Sequence, residues 1–269
     1  MENNLKKLPI AVFDSGFGGL SVLKEIIKIL PNENIIYFGD NGRAPYGTKS
    51  GETILNYAID AMDFLIKKEV KLIVIACNTA SAYAYNTLKN TYKIPILEVI
   101  KPASNVAVEI TKNNNVGIIG TMATINSNIY TKTIKNINKN INVFNQACPI
   151  FVPLIEEGWI DKSITKDVVK EYLKYFDDKN IDTLILGCTH YPLIENIISE
   201  YFNNKINLIN SGEEVSKNVK DELEKLDLIN NENKNPVYKF YTSDDINKFK
   251  KLGSLFLGQE IIDIEKIEI

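Results

Sequence analysis

Arginine and histidine are nearly absent from this sequence: among 31 basic residues only Arg43 is an arginine, and His190 is the one histidine. With 34 acidic residues and a net charge of −3 there is no basic footprint for nucleic acid or for an anionic membrane surface. The three cysteines, Cys77, Cys148 and Cys188, are too few, too widely spaced and odd in number for a disulfide framework. No Cys-x-x-Cys pair accompanies the lone histidine, so no zinc site is expected either. No apolar run approaches the roughly 20 residues that span a bilayer, and residues 1–7 lead toward a first strand without a signal-peptide core. A cytoplasmic protein with free thiols, handling a small molecule rather than a membrane or a nucleic acid, is the expectation.

What the chain does have is two similar apolar runs that each end on a thiol. Leu72-Ile73-Val74-Ile75-Ala76 runs into Cys77-Asn78-Thr79, and Leu184-Ile185-Leu186-Gly187 into Cys188-Thr189-His190-Tyr191-Pro192. Both are short and β-branched, which predicts central strands of a parallel sheet. In open α/β sheets the ligand crevice lies beyond the carboxyl ends of the strands, where both cysteines fall. A third buried strand, 8–13, ends at Asp14 and turns through Ser15-Gly16-Phe17-Gly18-Gly19 into a helix. That turn lacks the last glycine of a dinucleotide fingerprint, and there is no Gly-Lys-Ser/Thr of a P-loop. Asp14 is a carboxylate at a buried strand end, an expensive place for a charge without a partner or a task.

At 269 residues and 45% hydrophobic, the chain can build two domains with real cores. The βα pattern of residues 8–100 starts again after Lys101-Pro102, read here as a hinge, so that Gly120-Thr121 echoes Asp14-Ser15 and Cys188 echoes Cys77. Two pseudo-symmetric α/β halves follow as the economical expectation. Residues 1–100 plus 211–269 would form the half carrying Cys77, and residues 101–210 the half carrying Cys188. Cys148, between prolines, reads as a small buried hydrophobe, and Glu156-Glu157 as carboxylates of which at least one faces the crevice. The tail reads as strands, 237–241 and 260–269, that complete the first sheet and carry no recognisable chemistry.

Four chemistries compete for the two thiols. A cysteine hydrolase would use Cys188 with His190 and leave Cys77 idle. A thiol-disulfide enzyme would want Cys-x-x-Cys, and a ligand-binding module would need neither thiol. A two-base racemase uses both, one on each face of a carbon, since inverting a stereocentre needs proton removal from one side and delivery to the other.

The motifs Asp14-Ser15-Gly16-Phe17-Gly18-Gly19, Pro45-Tyr46-Gly47, Cys77-Asn78-Thr79, Gly120-Thr121-Met122-Ala123-Thr124, Val152-Pro153-Leu154-Ile155-Glu156-Glu157-Gly158 and Gly187-Cys188-Thr189-His190-Tyr191-Pro192 resemble, in order and spacing, those of the bacterial glutamate racemases. The resemblance implies two flavodoxin-like domains with parallel sheets, the active site in the cleft between them, and no cofactor. It implies that Cys77 takes the Cα proton of D-glutamate and Cys188 that of L-glutamate, assisted by Asp14 and His190 respectively. Asp14, Ser15, Tyr46, Gly47, Asn78, Thr79, Thr121, Thr124, Glu156, Thr189 and His190 are the implied substrate-binding residues, through neutral amides and hydroxyls in place of an arginine clamp. The same resemblance implies a supply of D-glutamate for peptidoglycan and leaves a homodimer open. Asn41-Gly42 and Asn210 depart from the usual family residues, and the segment before the first strand is short. A sister racemase for aspartate is the nearest alternative.

Overall fold

The computed structural model describes residues 2–232 and 234–269. Among them ten strands form two sheets in which every pairing is parallel. They are β1 (Ile10–Asp14), β2 (Ile35–Gly39), β3 (Leu72–Ile75), β4 (Ile96–Glu98), β5 (Asn115–Gly120), β6 (Asn142–Ala147), β7 (Thr183–Gly187), β8 (Asn207–Asn210), β9 (Tyr238–Thr242) and β10 (Ile264–Lys266). The first sheet runs β10-β9-β2-β1-β3-β4 and the second β6-β5-β7-β8. Each contains the same doubly wound order, second-first-third-fourth, so the halves repeat in topology. The first has two further strands added at its edge by the tail.

β1 and β3 are buried along their whole length, as near-continuous apolar strands covered on both faces must be. Alternation along β1 divides the core: Ile10 and Val12 join a large cluster that continues into the second half, while Ala11 and Phe13 join a second cluster on the opposite face of the sheet. The helix Ser211–Lys225 packs against the helices Gly19–Ile29 and Ile100–Ile110, which ties the two halves together behind the strand ends.

Several expectations are corrected. Lys101 and Pro102, where a break in the chain was expected, lie in the first turn of the helix Ile100–Ile110, where a proline's missing N–H removes no intrahelical bond. The Glu98 carboxylate accepts from the Ile100 and Lys101 amides, at 2.5 and 2.9 Å, and caps that helix. A short helix, Glu2–Lys6, precedes β1. β6 is a strand although Asn-Val-Phe-Asn-Gln-Ala carries no clean apolar face; it is a partly exposed edge. The tail adds β9 and β10 to the first sheet, as expected, but between them stands the helix Ile246–Leu257. No helix among the described residues is long and apolar enough to cross a membrane.

Candidate active site

The winding of each sheet reverses between its first and third strands, and chemistry-bearing residues emerge at both reversals. In the first sheet β1 ends on Asp14 and β3 is followed by Ala76 and Cys77; in the second β5 is followed by Thr121 and β7 by Cys188. The registers bring these ends level: Phe13 lies opposite Ile75, and Gly120 opposite Gly187.

Cys77 caps the helix Asn78–Thr91. Its sulfur accepts from the Ala80 amide and its S–H donates to Ser15 Oγ, both at 3.4 Å. Burial and the nearby Asp14 carboxylate push the thiol up to about 12, against the smaller downward pull of Ser15 and Ala80. Asp14 is fully buried. One oxygen accepts from the Gly16 amide at 3.0 Å, the other has no partner, and burial raises its pKa against the pull of His190 and of three backbone amides.

Cys188 stands in a different setting. Its sulfur lies 4.0 Å from His190 Nδ1, and His190 Nε2 lies 3.1 Å from Glu156 Oε1. The ring is buried edge-on against Phe256, with centroids 5.0 Å apart. Burial alone would lower the imidazole, but the contacts with Cys188 and Glu156 outweigh it and raise it to about 10. Burial acts upward on Glu156, yet His190 and Lys248 hold it below the usual carboxylate range.

Hydroxyls join the two halves between the thiols. Thr79 Oγ1 lies 2.9 Å from Thr121 and 3.1 Å from Thr124, which are 2.9 Å from each other. Thr79 belongs to the helix after β3, while Thr121 caps and Thr124 lies within the short helix Met122–Asn126 after β5. Gly47 sits so close that a Cβ there would come within 2.7 Å of Thr121 Cβ. Tyr130 donates to Asn78 Oδ1 at 2.5 Å, and Asn78 Nδ2 donates to Ser211 at 3.4 Å. The Tyr46 hydroxyl donates to Asp40, which also pairs with Arg43; the one arginine thus braces the loop from outside the cavity.

One cavity of about 430 Å³ gathers both thiols. Ser15, Tyr46, Gly47, Asn78, Thr79, Thr121, Glu156, Thr189 and His190 line it as well. Asp14 and Thr124, expected at the substrate, are absent from its wall: Asp14 lies under the glycine turn and Thr124 behind the other two threonines. Cys148 is fully buried away from the cavity, its carbonyl accepting from Tyr191. The tail does bring chemistry, contrary to expectation: Asp244, Asp245 and Lys248 line the cavity. The missed signal is helical, since Phe249, Leu252, Gly253, Phe256 and Leu257 recur at three and four residues between an Asp245 cap and Gly258.

The Asp/Glu/Hydantoin racemase family profile matches residues 10–216. The glutamate racemase of Geobacter metallireducens is 43% identical over 260 residues, 97% of this chain and 96% of that protein. The crystal structure of the Francisella tularensis glutamate racemase in complex with D-glutamate superposes with a TM-score of 0.93 at 45% identity, covering 98% of both chains. An aspartate racemase from Picrophilus torridus shares the fold at a TM-score of 0.57 and 21% identity, over 81% of this chain and 94% of that one.

Proposed function

We propose that this chain, which belongs to the Asp/Glu/Hydantoin racemase family, interconverts L- and D-glutamate by a two-base mechanism run by Cys77 and Cys188. The observation that carries the reading is that both thiols line one cavity, each beyond a central strand of its own sheet. Such a site offers a proton acceptor on one face of a carbon and a donor on the other.

In the D-to-L direction the Cys77 thiolate takes the Cα proton and becomes a thiol. The Cys188 thiol delivers its proton to the opposite face and becomes a thiolate. The L-to-D direction reverses the roles, and exchange with solvent resets the pair. Cys77 is a thiol at neutral pH, pushed up to about 12 by burial and by Asp14. The substrate's ammonium group, placed beside the sulfur, supplies the positive charge that lowers it. Asp14, buried beneath the glycine turn, assists on that side, and His190, oriented by Glu156, on the other. Asn78, Thr79, Thr121, Thr189 and the Tyr46-Gly47 backbone hold the carboxylates and the amino group, while Thr124 fixes the threonine hydroxyls from behind. Preorganised donors of this kind stabilise the carbanion as charge develops.

The halves carrying the thiols are residues 1–100 plus 211–269 and residues 101–210. In the cytoplasm the product would feed peptidoglycan synthesis. The test is proton NMR of L- and D-glutamate with the purified protein in D₂O, alongside optical rotation. Loss of the Cα proton with racemisation from both enantiomers supports the reading; no exchange with either overturns it.

A further inference from the structure

The charged groups on the cavity wall are unevenly matched. Glu156, Glu157, Asp244 and Asp245 bring four carboxylates, against the His190 imidazole and one ammonium group, that of Lys248. A substrate with two carboxylates and one ammonium group approaches such a mouth against repulsion unless a cation offsets it locally.

Lys248 is placed for that. It sits in the first turn of the helix Ile246–Leu257, where its backbone amide donates to the capping Asp245 carboxylate at 2.9 Å. Its Nζ lies 5.7 Å from the centre of the Phe17 ring, in the glycine turn that also carries Ser15 beside Cys77. It also acts on Glu156, across the cavity on the Cys188 side. The side chain is solvent-exposed and makes no ion pair among the described residues, so its charge is not spent on a fixed partner.

We propose that Lys248 is a substrate-capturing residue of the cavity mouth, drawing in the dicarboxylate amino acid by its charge, an inference that rests on glutamate being the substrate. It touches neither thiol and acts on both enantiomers alike. The effect lies on capture rather than on proton transfer.

The experiment compares wild type, Lys248→Gln, Lys248→Glu and, as a control for net charge on the same helix, Lys250→Glu. For each, KM and kcat with L- and D-glutamate are measured at ionic strengths from about 0.01 M to about 0.15 M, over which the screening length falls from about 30 Å to about 8 Å. The expected result is a KM raised about threefold in Lys248→Gln and about tenfold in Lys248→Glu at low salt, with kcat within about twofold. The Lys248→Glu value should fall more steeply than that of wild type as salt is added, and Lys250→Glu should follow wild type. A KM and salt slope unchanged in the Lys248 variants overturn the proposal. A fall in kcat with a displaced pH profile overturns it too, since that marks a role through Glu156 and His190. If wild type fails to racemise glutamate the functional reading falls, and glutamate titration calorimetry on the same variants still decides whether Lys248 draws the ligand in.

Discussion

His190 Nε2 stands 3.1 Å from Glu156 Oε1, and the same ring turns Nδ1 toward Cys188 Sγ at 4.0 Å. The carboxylate therefore fixes which nitrogen faces the thiol and, together with Cys188, raises the imidazole to about 10. Replacing Glu156 by Gln keeps the shape and removes the charge. Enantiomers have equal free energies in water, so kcat/KM falls equally in both directions, by about 10- to 100-fold for an orienting partner of this kind. The limb of the pH–rate profile belonging to His190 moves from near 10 toward 6.5, because the anion that stabilised the imidazolium is gone. A profile that stays in place would show that Glu156 does not set the imidazole.

Under the proposed two-base mechanism Cys77 and Cys188 divide the reaction, and single replacements should expose the division. Cys77→Ala and Cys188→Ala each lose racemisation by about 10³-fold or more. Cys77→Ala still exchanges the Cα proton of L-glutamate with D₂O, because Cys188 can remove and return it on one face. Cys188→Ala exchanges only D-glutamate. Proton NMR with each enantiomer reads this directly. Normal racemisation by Cys77→Ala would leave a one-thiol chemistry as the better account.

Gly18 presses on Thr189 and His190. A Cβ there would lie 2.1 Å from Thr189 Oγ1 and 2.4 Å from His190 Nδ1. Both neighbours are buried, and the Thr189 carbonyl is held by Ser21 at 2.8 Å, so neither has free room to retreat. Gly18→Ala is expected to lower kcat by about 10²-fold through a misplaced imidazole. The helix that follows should survive, since Gly18 only flanks it, supplies no side-chain cap and has backbone angles that alanine adopts without strain. Activity assayed beside circular dichroism separates the two effects.

The strands that carry the thiols were readable because burial on both faces leaves an uninterrupted apolar run that stops where the chemistry starts. The glycine turn after Asp14 was readable for a related reason: close approach to Thr189 and His190 leaves no room for a side chain at Gly18. β6 was not, because an edge strand is half solvated and its Asn and Gln residues blur the alternation. Lys101-Pro102 misled because proline marks helix starts as well as breaks, and the Glu98 cap decides between them only in three dimensions. The helix Ile246–Leu257 had a legible pattern, but nothing local tells that its first turn reaches a cavity formed by residues between Ser15 and His190. Asp14 and Thr124 were legible as polar residues at strand and helix ends; only the packing reveals that they stand behind the wall.

Asp14 shows what the site costs the fold. Its carboxyl is fully buried, one oxygen has no partner, and its pKa is raised by burial against the pull of His190 and the backbone amides. A carboxyl with a folded pKa above its unfolded 3.8 binds its proton more tightly in the native state. Its destabilisation is therefore absent below pH 3.8, grows as pH rises through the folded value, and is constant above it. Asp14→Asn removes the charge, keeps an oxygen for the Gly16 amide and puts donors where the unpaired oxygen stands. At pH 8 the variant should be more stable by roughly 1–3 kcal/mol, the cost of an unsatisfied buried polar group, with Tm rising about 2–4 °C per kcal/mol for a chain of this size. The gain should shrink as the pH of the melt is lowered, while activity at pH 8 falls by about 10²-fold, the usual worth of a group that assists proton transfer. Such opposite movement is the mark of a residue held for the reaction at the expense of stability. A variant that melts below wild type at pH 8 would mean instead that the charge on Asp14 holds the glycine turn, and that the carboxylate belongs to the structure before it belongs to the chemistry.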